Sequence, residues 1–169
     1  MVVALGSNQR GPFASSEALL ETALASLNKA GFRRFARSRW WHSKAWPNPA
    51  DPDFINGVAL YFPEASPRET LERLLEVERE FGRVRGGGNA PRTLDLDLIA
   101  HGRTVVDGEN LILPHPRAHK RLFVMGPLAE IGPTWRHPSL DESAQALSSR
   151  ARVGGDARPM RHVALHKNL

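Results

Sequence analysis

Two hydrophobic periods alternate along the chain. Val2-Val3-Ala4-Leu5 is a short continuous apolar run closing on Gly6-Ser7-Asn8, the pattern of a buried strand. After a loop over 9–14, Leu19, Leu20, Ala23, Leu24 and Leu27 recur along one helix face, with Gly31 placed to stop it. Residues 32–42 mix arginines with bulky aromatics and predict a strand. Residues 43–53, with Pro47, Pro49 and Pro52, predict a loop, and 54–62 predict another strand. A second helix is announced by Ser66 as N-cap, Pro67 at the first helical position and Glu69 completing a capping box. Its expected buried face is Leu71, Leu74, Leu75 and Phe81, and Gly82 ends it. A glycine- and arginine-rich loop over 83–91 leads into a strand over 93–100. Short β segments near 104–106 and 111–113 follow. Next comes a buried helix over 123–131, broken by Pro127 or starting near it. Last is a surface helix over 139–151 with Ser139 or Asp141 near its cap. The order β-α-β-β-α-β is that of a ferredoxin-like α+β core with additions at the C-terminal end.

Composition adds bounds. The length of 169 residues suits one domain over 1–169. Cysteine is absent, which excludes disulfides and cysteine-ligated zinc. No apolar run approaches the roughly 20 residues of a membrane helix, and the N-terminus lacks a basic leader, so no membrane partner and a cytoplasmic location are expected. The excess of 23 basic over 18 acidic residues is mostly arginine, whose planar fork of donors suits phosphate oxygens. A nucleic acid, a nucleotide or simple coding bias all fit that balance.

Candidate chemistry concentrates in Pro91-Arg92-Thr93-Leu94-Asp95-Leu96-Asp97-Leu98. On a strand, Asp95 and Asp97 share one face and Leu94, Leu96 and Leu98 the other, with the two aspartate Cα atoms roughly 6.5–7 Å apart. Such a pair is either a solvated acidic face or a site for a hard cation, and Mg²⁺ needs only one or two carboxylates beside substrate phosphates. Arg83, Arg85 and Arg92 flank the same loop around Gly86-Gly87-Gly88, which would put cationic donors beside the acids, as phosphoryl transfer requires. No Walker-type GxxxxGK[ST] loop occurs. Glu78 falls within the apolar stripe of its helix, so it is either paired or used there, or it reaches water at the margin. His115, held between Pro114 and Pro116 and followed by Arg117, His119, Lys120 and Arg121, is either structural or a phosphate contact.

Taken in order, LGSN at 5–8, PDFING at 52–57, EREFGRVR at 78–85, PRTLDLDL at 91–98 and LPHPRAHKRLFVMGPLAEIGP at 113–133 resemble the 6-hydroxymethyl-7,8-dihydropterin pyrophosphokinase family. The resemblance implies a normally monomeric three-layer fold around an antiparallel sheet. It also implies transfer of pyrophosphate from ATP, with two Mg²⁺ ions, to the hydroxymethyl group of the pterin in folate biosynthesis. It casts Asp95 and Asp97 as metal ligands and Arg83 and Arg92 as catalytic-loop arginines. Glu78, Arg85, Arg92, Leu98, His115 and Arg121 are cast as ATP contacts. Phe54 and Phe123 are the pair that sandwiches the pterin, Asn56 reads its polar edge, and Ser43 and Trp46 border it.

Three positions depart from the family pattern: Gly88-Asn89 where an arginine–tryptophan pair is frequent, Asn110 where some members carry arginine, and Lys44-Ala45-Trp46 in place of a proline-rich segment. They leave open a module that keeps the fold without turnover. The basic-aromatic stretch 33–42 leaves open a nucleic-acid surface, although two acids on a strand face would repel a phosphate backbone and no nucleic-acid partner is expected.

Overall fold

A computed structural model describes residues 1–45, 47–82 and 93–161. Among these, the chain runs β1 (Val2–Ser7), α1 (Ser16–Lys29), β2 (Arg34–Arg37), β3 (Trp41–Ser43), β4 (Phe54–Tyr61), α2 (Pro67–Glu80) and β5 (Asp95–Ala100). A small ribbon of β6 (Val106–Asp107) and β7 (Ile112–Leu113) follows, then a 3₁₀ turn (Ala118–Lys120), α3 (Leu122–Ile131), α4 (Ala144–Arg150) and β8 (Arg158–Pro159).

The main sheet has the order β5-β1-β4-β3-β8, with β2 also pairing β4, and all of these pairings are antiparallel. With β2 and β3 counted as one broken strand, this is the ferredoxin-like order with β8 added at an edge. Val3, Leu5, Leu96 and Leu98 join Leu19, Leu20, Leu24, Leu27 and Leu74 in one core beneath α1 and α2. Val2, Ala4, Val58 and Ile99 join Val124, Met125, Leu128 and Leu147 in a second core beneath α3 and α4. The sheet is therefore the middle of three layers.

Both early helices form for the expected reasons. Ser66 Oγ accepts from Glu69 N–H while the Glu69 carboxylate accepts from Ser66 N–H, and Pro67 opens α2. The buried face of α2 is centred on Thr70, Leu74, Val77 and Glu78, whereas Leu71, Leu75 and Phe81 flank it half-buried.

Three expectations need correction. The strand over 32–42 is two strands, because Ser38 turns inward and accepts Val58 N–H on its hydroxyl while Trp40 packs across Gly57. Pro127 neither breaks nor starts its helix but sits inside α3, where its lost N–H is tolerated among the buried Val124, Met125 and Leu128. The last helix begins at Ala144 with Ser143 as N-cap. Ser139 and Leu140 N–H both donate to His137 Nδ1, and Asp141 adopts a φ of 51°, so 139–142 form a turn instead.

Candidate active site

Strand register assembles the site. Gly6 lies opposite Asp95 on one side and Asn56 on the other, and Ala4 lies opposite Asp97 and Val58. Trp41 faces Asn56, and Ser43 faces Phe54. Because side chains opposite one another share a face, Asp95, Asp97, Asn56, Phe54 and Ser43 all project on the α3 side of the sheet, at the end that α3 leaves uncovered. The result is a cavity of about 410 Å³, with Phe123, Val124, His115, Arg117 and Arg121 forming its far wall. Asn48, Asp51 and Pro52 of the proline loop close one end.

The floor is cut away at Gly6, where a Cβ would stand 3.3 Å from Asn56 Oδ1 and 3.8 Å from Phe54 Cδ1. Asn56, only 7% exposed, donates from Nδ2 to Ser43 Oγ at 2.9 Å. That bond fixes the amide plane and turns the carbonyl oxygen over Gly6, so the cleft is offered an acceptor in a set orientation. Phe54 and Phe123 are both half-buried rings on its walls. The Arg121 guanidinium lies 5.7 Å from the Phe123 ring centroid and carries positive charge to the border between the aromatic and acidic halves.

His115 is anchored to the same strand as the acids, its N–H donating to Ile99 O at 2.8 Å. Its Nδ1 accepts Arg117 N–H at 3.2 Å. Burial first, then the positive charges of Arg121 and Arg117, pushes the imidazole down to about 4, against the opposing pull of Asp95. At neutral pH the ring is therefore uncharged, with its proton on Nε2 as a donor.

Two residues cast as nucleotide contacts do not line this cavity with their side chains. Leu98 is 5% exposed and packs in the core beneath α1 and α2, because strand alternation turns it away from Asp95 and Asp97. Glu78 is 0% exposed and accepts Leu96 N–H at 2.7 Å, meeting a backbone donor of the edge strand β5 between the two acids. Its position in the apolar stripe marked it as needing a partner, but only the fold identifies that partner. Trp46, Arg83, Arg85 and Arg92, with Gly88-Asn89, lie outside the described residues. Gly6 as floor, the Ser43 hydroxyl as orienter of Asn56, and Arg117 as a wall are roles that composition and spacing do not disclose.

Among the described residues no three His, Asp or Glu side chains gather as a metal cluster. Asp95 and Asp97 form a pair of hard oxygen donors on one wall of a cavity, a set that suits a cation completed by substrate oxygens.

Fold and cleft together define a ferredoxin-like α+β protein with a cleft lined by carboxylates, cationic side chains and aromatic rings. The chain belongs to the 7,8-dihydro-6-hydroxymethylpterin-pyrophosphokinase (HPPK) family, whose model matches residues 2–133. It is 43% identical over 138 residues to the 2-amino-4-hydroxy-6-hydroxymethyldihydropteridine pyrophosphokinase of Synechocystis sp., covering 81% of this chain and 68% of that protein. It is 39% identical over 137 residues to the Pseudomonas aeruginosa enzyme of the same name, covering 80% and 82%. The crystal structure of Plasmodium falciparum HPPK-DHPS superposes with a TM-score of 0.67 at 13% identity, which is a likeness of fold. The match covers 88% of this chain and 44% of that longer one.

Proposed function

We propose that this chain transfers pyrophosphate from ATP to the hydroxymethyl group of 6-hydroxymethyl-7,8-dihydropterin, releasing AMP, with magnesium held by Asp95 and Asp97. The reading is carried by one observation: the acidic pair and the Phe54–Asn56–Phe123 set open into the same cavity. A flat heteroaromatic ring fits between two phenylalanines, and the oriented Asn56 oxygen meets its donors. The substrate hydroxymethyl group then reaches toward the carboxylates. In the reaction its oxygen bonds to the β-phosphorus and gives up its hydroxyl proton to solvent, the bond from that phosphorus to the α–β bridging oxygen breaks, and AMP leaves with that oxygen. Magnesium supplies charge neutralisation on the phosphates when bound. Neutral His115 donates from Nε2 to a phosphate oxygen, and Arg121 adds positive charge at the same wall. The family resemblance assigns Arg83, Arg85 and Arg92 the remaining positive charge on the phosphates.

The nucleic-acid reading loses support from the ion pairs of the basic stretch: Arg33, Arg37 and Arg39 meet Glu64, Glu21 and Glu130 respectively. The direct test is AMP release from ATP and magnesium, with and without the hydroxymethyl-dihydropterin. Release that requires both pterin and metal is expected. ATP breakdown indifferent to the pterin overturns the assignment, and undiminished turnover in excess chelator removes magnesium from it.

A further inference from the structure

The matched family residues end at 133, yet the chain continues and returns to the cleft. Arg152 and Val153 N–H both donate to Lys120 O, and Leu122 N–H donates to Val153 O at 2.8 Å, which stitches this segment to the start of α3. At Gly154 the backbone adopts a φ of +67° and closes directly on the Phe123 ring, where a Cβ would stand 2.4 Å from Cδ1. Two residues later Asp156 Oδ2 accepts Lys44 N–H at 2.7 Å. Arg158 and Pro159 then pair with His42 and Trp41 of β3, and Met160 N–H donates to Trp40 O.

Phe123 and Lys44 both line the same cavity and come from elements far apart in the chain. One short segment touches both. We propose that residues 152–159 form a strap that positions the two walls of the pterin half of the cleft, Phe123 through Gly154 and the Lys44 backbone through Asp156, and so sets pterin affinity. The inference rests on the assignment of that half to the pterin. Its physical basis is preorganisation: walls held before the ligand arrives need not be ordered on binding. Gly154 is required twice, for its left-handed backbone and for its missing side chain. Asp156 is required as an oxygen acceptor, not as a charge.

The experiment is calorimetric titration of 6-hydroxymethyl-7,8-dihydropterin and, separately, of Mg-ATP into the full chain and its variants, with melting temperatures in parallel. Asp156→Ala should raise the pterin Kd about fivefold, the size of one lost hydrogen bond, and leave the ATP Kd unchanged. Asp156→Asn, which keeps an acceptor oxygen, should restore the wild-type value. Gly154→Ala should raise the pterin Kd about tenfold by displacing Phe123. An unaltered pterin Kd in Asp156→Ala overturns the strap. So does an Asp156→Asn variant as weak as Asp156→Ala, or an equal loss of both ligands with a fallen melting temperature. A wild-type chain that binds no pterin overturns the site assignment itself, and the strap with it.

Discussion

The two faces of the central sheet are built from the same strands and do opposite work. Toward α1 and α2, β1 presents Val3 and Leu5 while β5 presents Leu96 and Leu98, and the packing is closed. Toward α3 and α4, the same strands present Val2, Ala4 and Gly6, and Asp95, Asp97 and Ile99. Apolar contact on that side ends where β1 shrinks to Ala4 and Gly6, and the space left over is the cleft. Stability and the proposed chemistry are separated by a one-residue step along a strand, so a register slip would exchange them.

The sharpest way to break that comparison is to mutate adjacent residues of β5. Asp97→Ala should reduce turnover on the order of 10³-fold, with an unchanged melting temperature, if Asp97 holds the proposed magnesium. Leu96→Ala, one position away, should destabilise the fold by about 2–5 kcal/mol and spare the turnover of the molecules that remain folded. Denaturant titration beside a rate assay checks both, and either variant behaving like the other would dissolve the distinction. Phe123→Ala comes next. It should weaken pterin binding about tenfold with little change in ATP affinity, read by titration of each ligand.

Glycines offer a finer probe, because each face has one under a neighbour. Gly6→Ala puts a methyl group 3.3 Å from Asn56 Oδ1 and should raise the pterin KM about threefold with little loss of stability. Gly57→Ala puts one 2.5 Å from Trp40 on the leucine face and should cost about 1–3 kcal/mol of stability without moving KM. A KM effect from Gly57, or a folding defect from Gly6, would blur the division of labour.

What could be read in advance follows the range of the physical cause. The period-two pattern of β5 is local, so the opposed faces of Leu96 and Asp97 were legible. The α2 capping box spans three residues and was equally plain. Ser139 and Asp141 misled because both are good cap formers, and only His137, placed by tertiary packing, diverts the N–H groups of that turn. The link from Ser43 to Asn56 needs the β3–β4 register, and that from Glu78 to Leu96 needs α2 docked on β5. Asp156 meets Lys44 across 112 residues of chain, and no periodicity in 152–159 points there.

The smallest expected effect concerns acid. His115 titrates at about 4 in the folded chain against an ordinary 6.5. Between those values the unfolded chain binds a proton that the folded one refuses, so stability falls as pH drops from 6.5 toward 4 and is fully present above that window. Burial also lowers His119 and His137 on the α3 side, which adds to the same slope, so the share of His115 must be taken by difference. His115→Asn keeps an acceptor for Arg117 N–H and removes the titration. With the half-buried ring discounted for solvent screening, the wild type should lose on the order of 1 kcal/mol more than the variant between pH 7 and pH 4.5 in urea titrations. Bound phosphate should narrow that gap, because a negative charge beside the ring favours its protonated form and raises the folded value toward 6.5. Equal pH slopes in the two proteins would mean that His115 is not held neutral, and its place as a donor on the polar face would have to be given up.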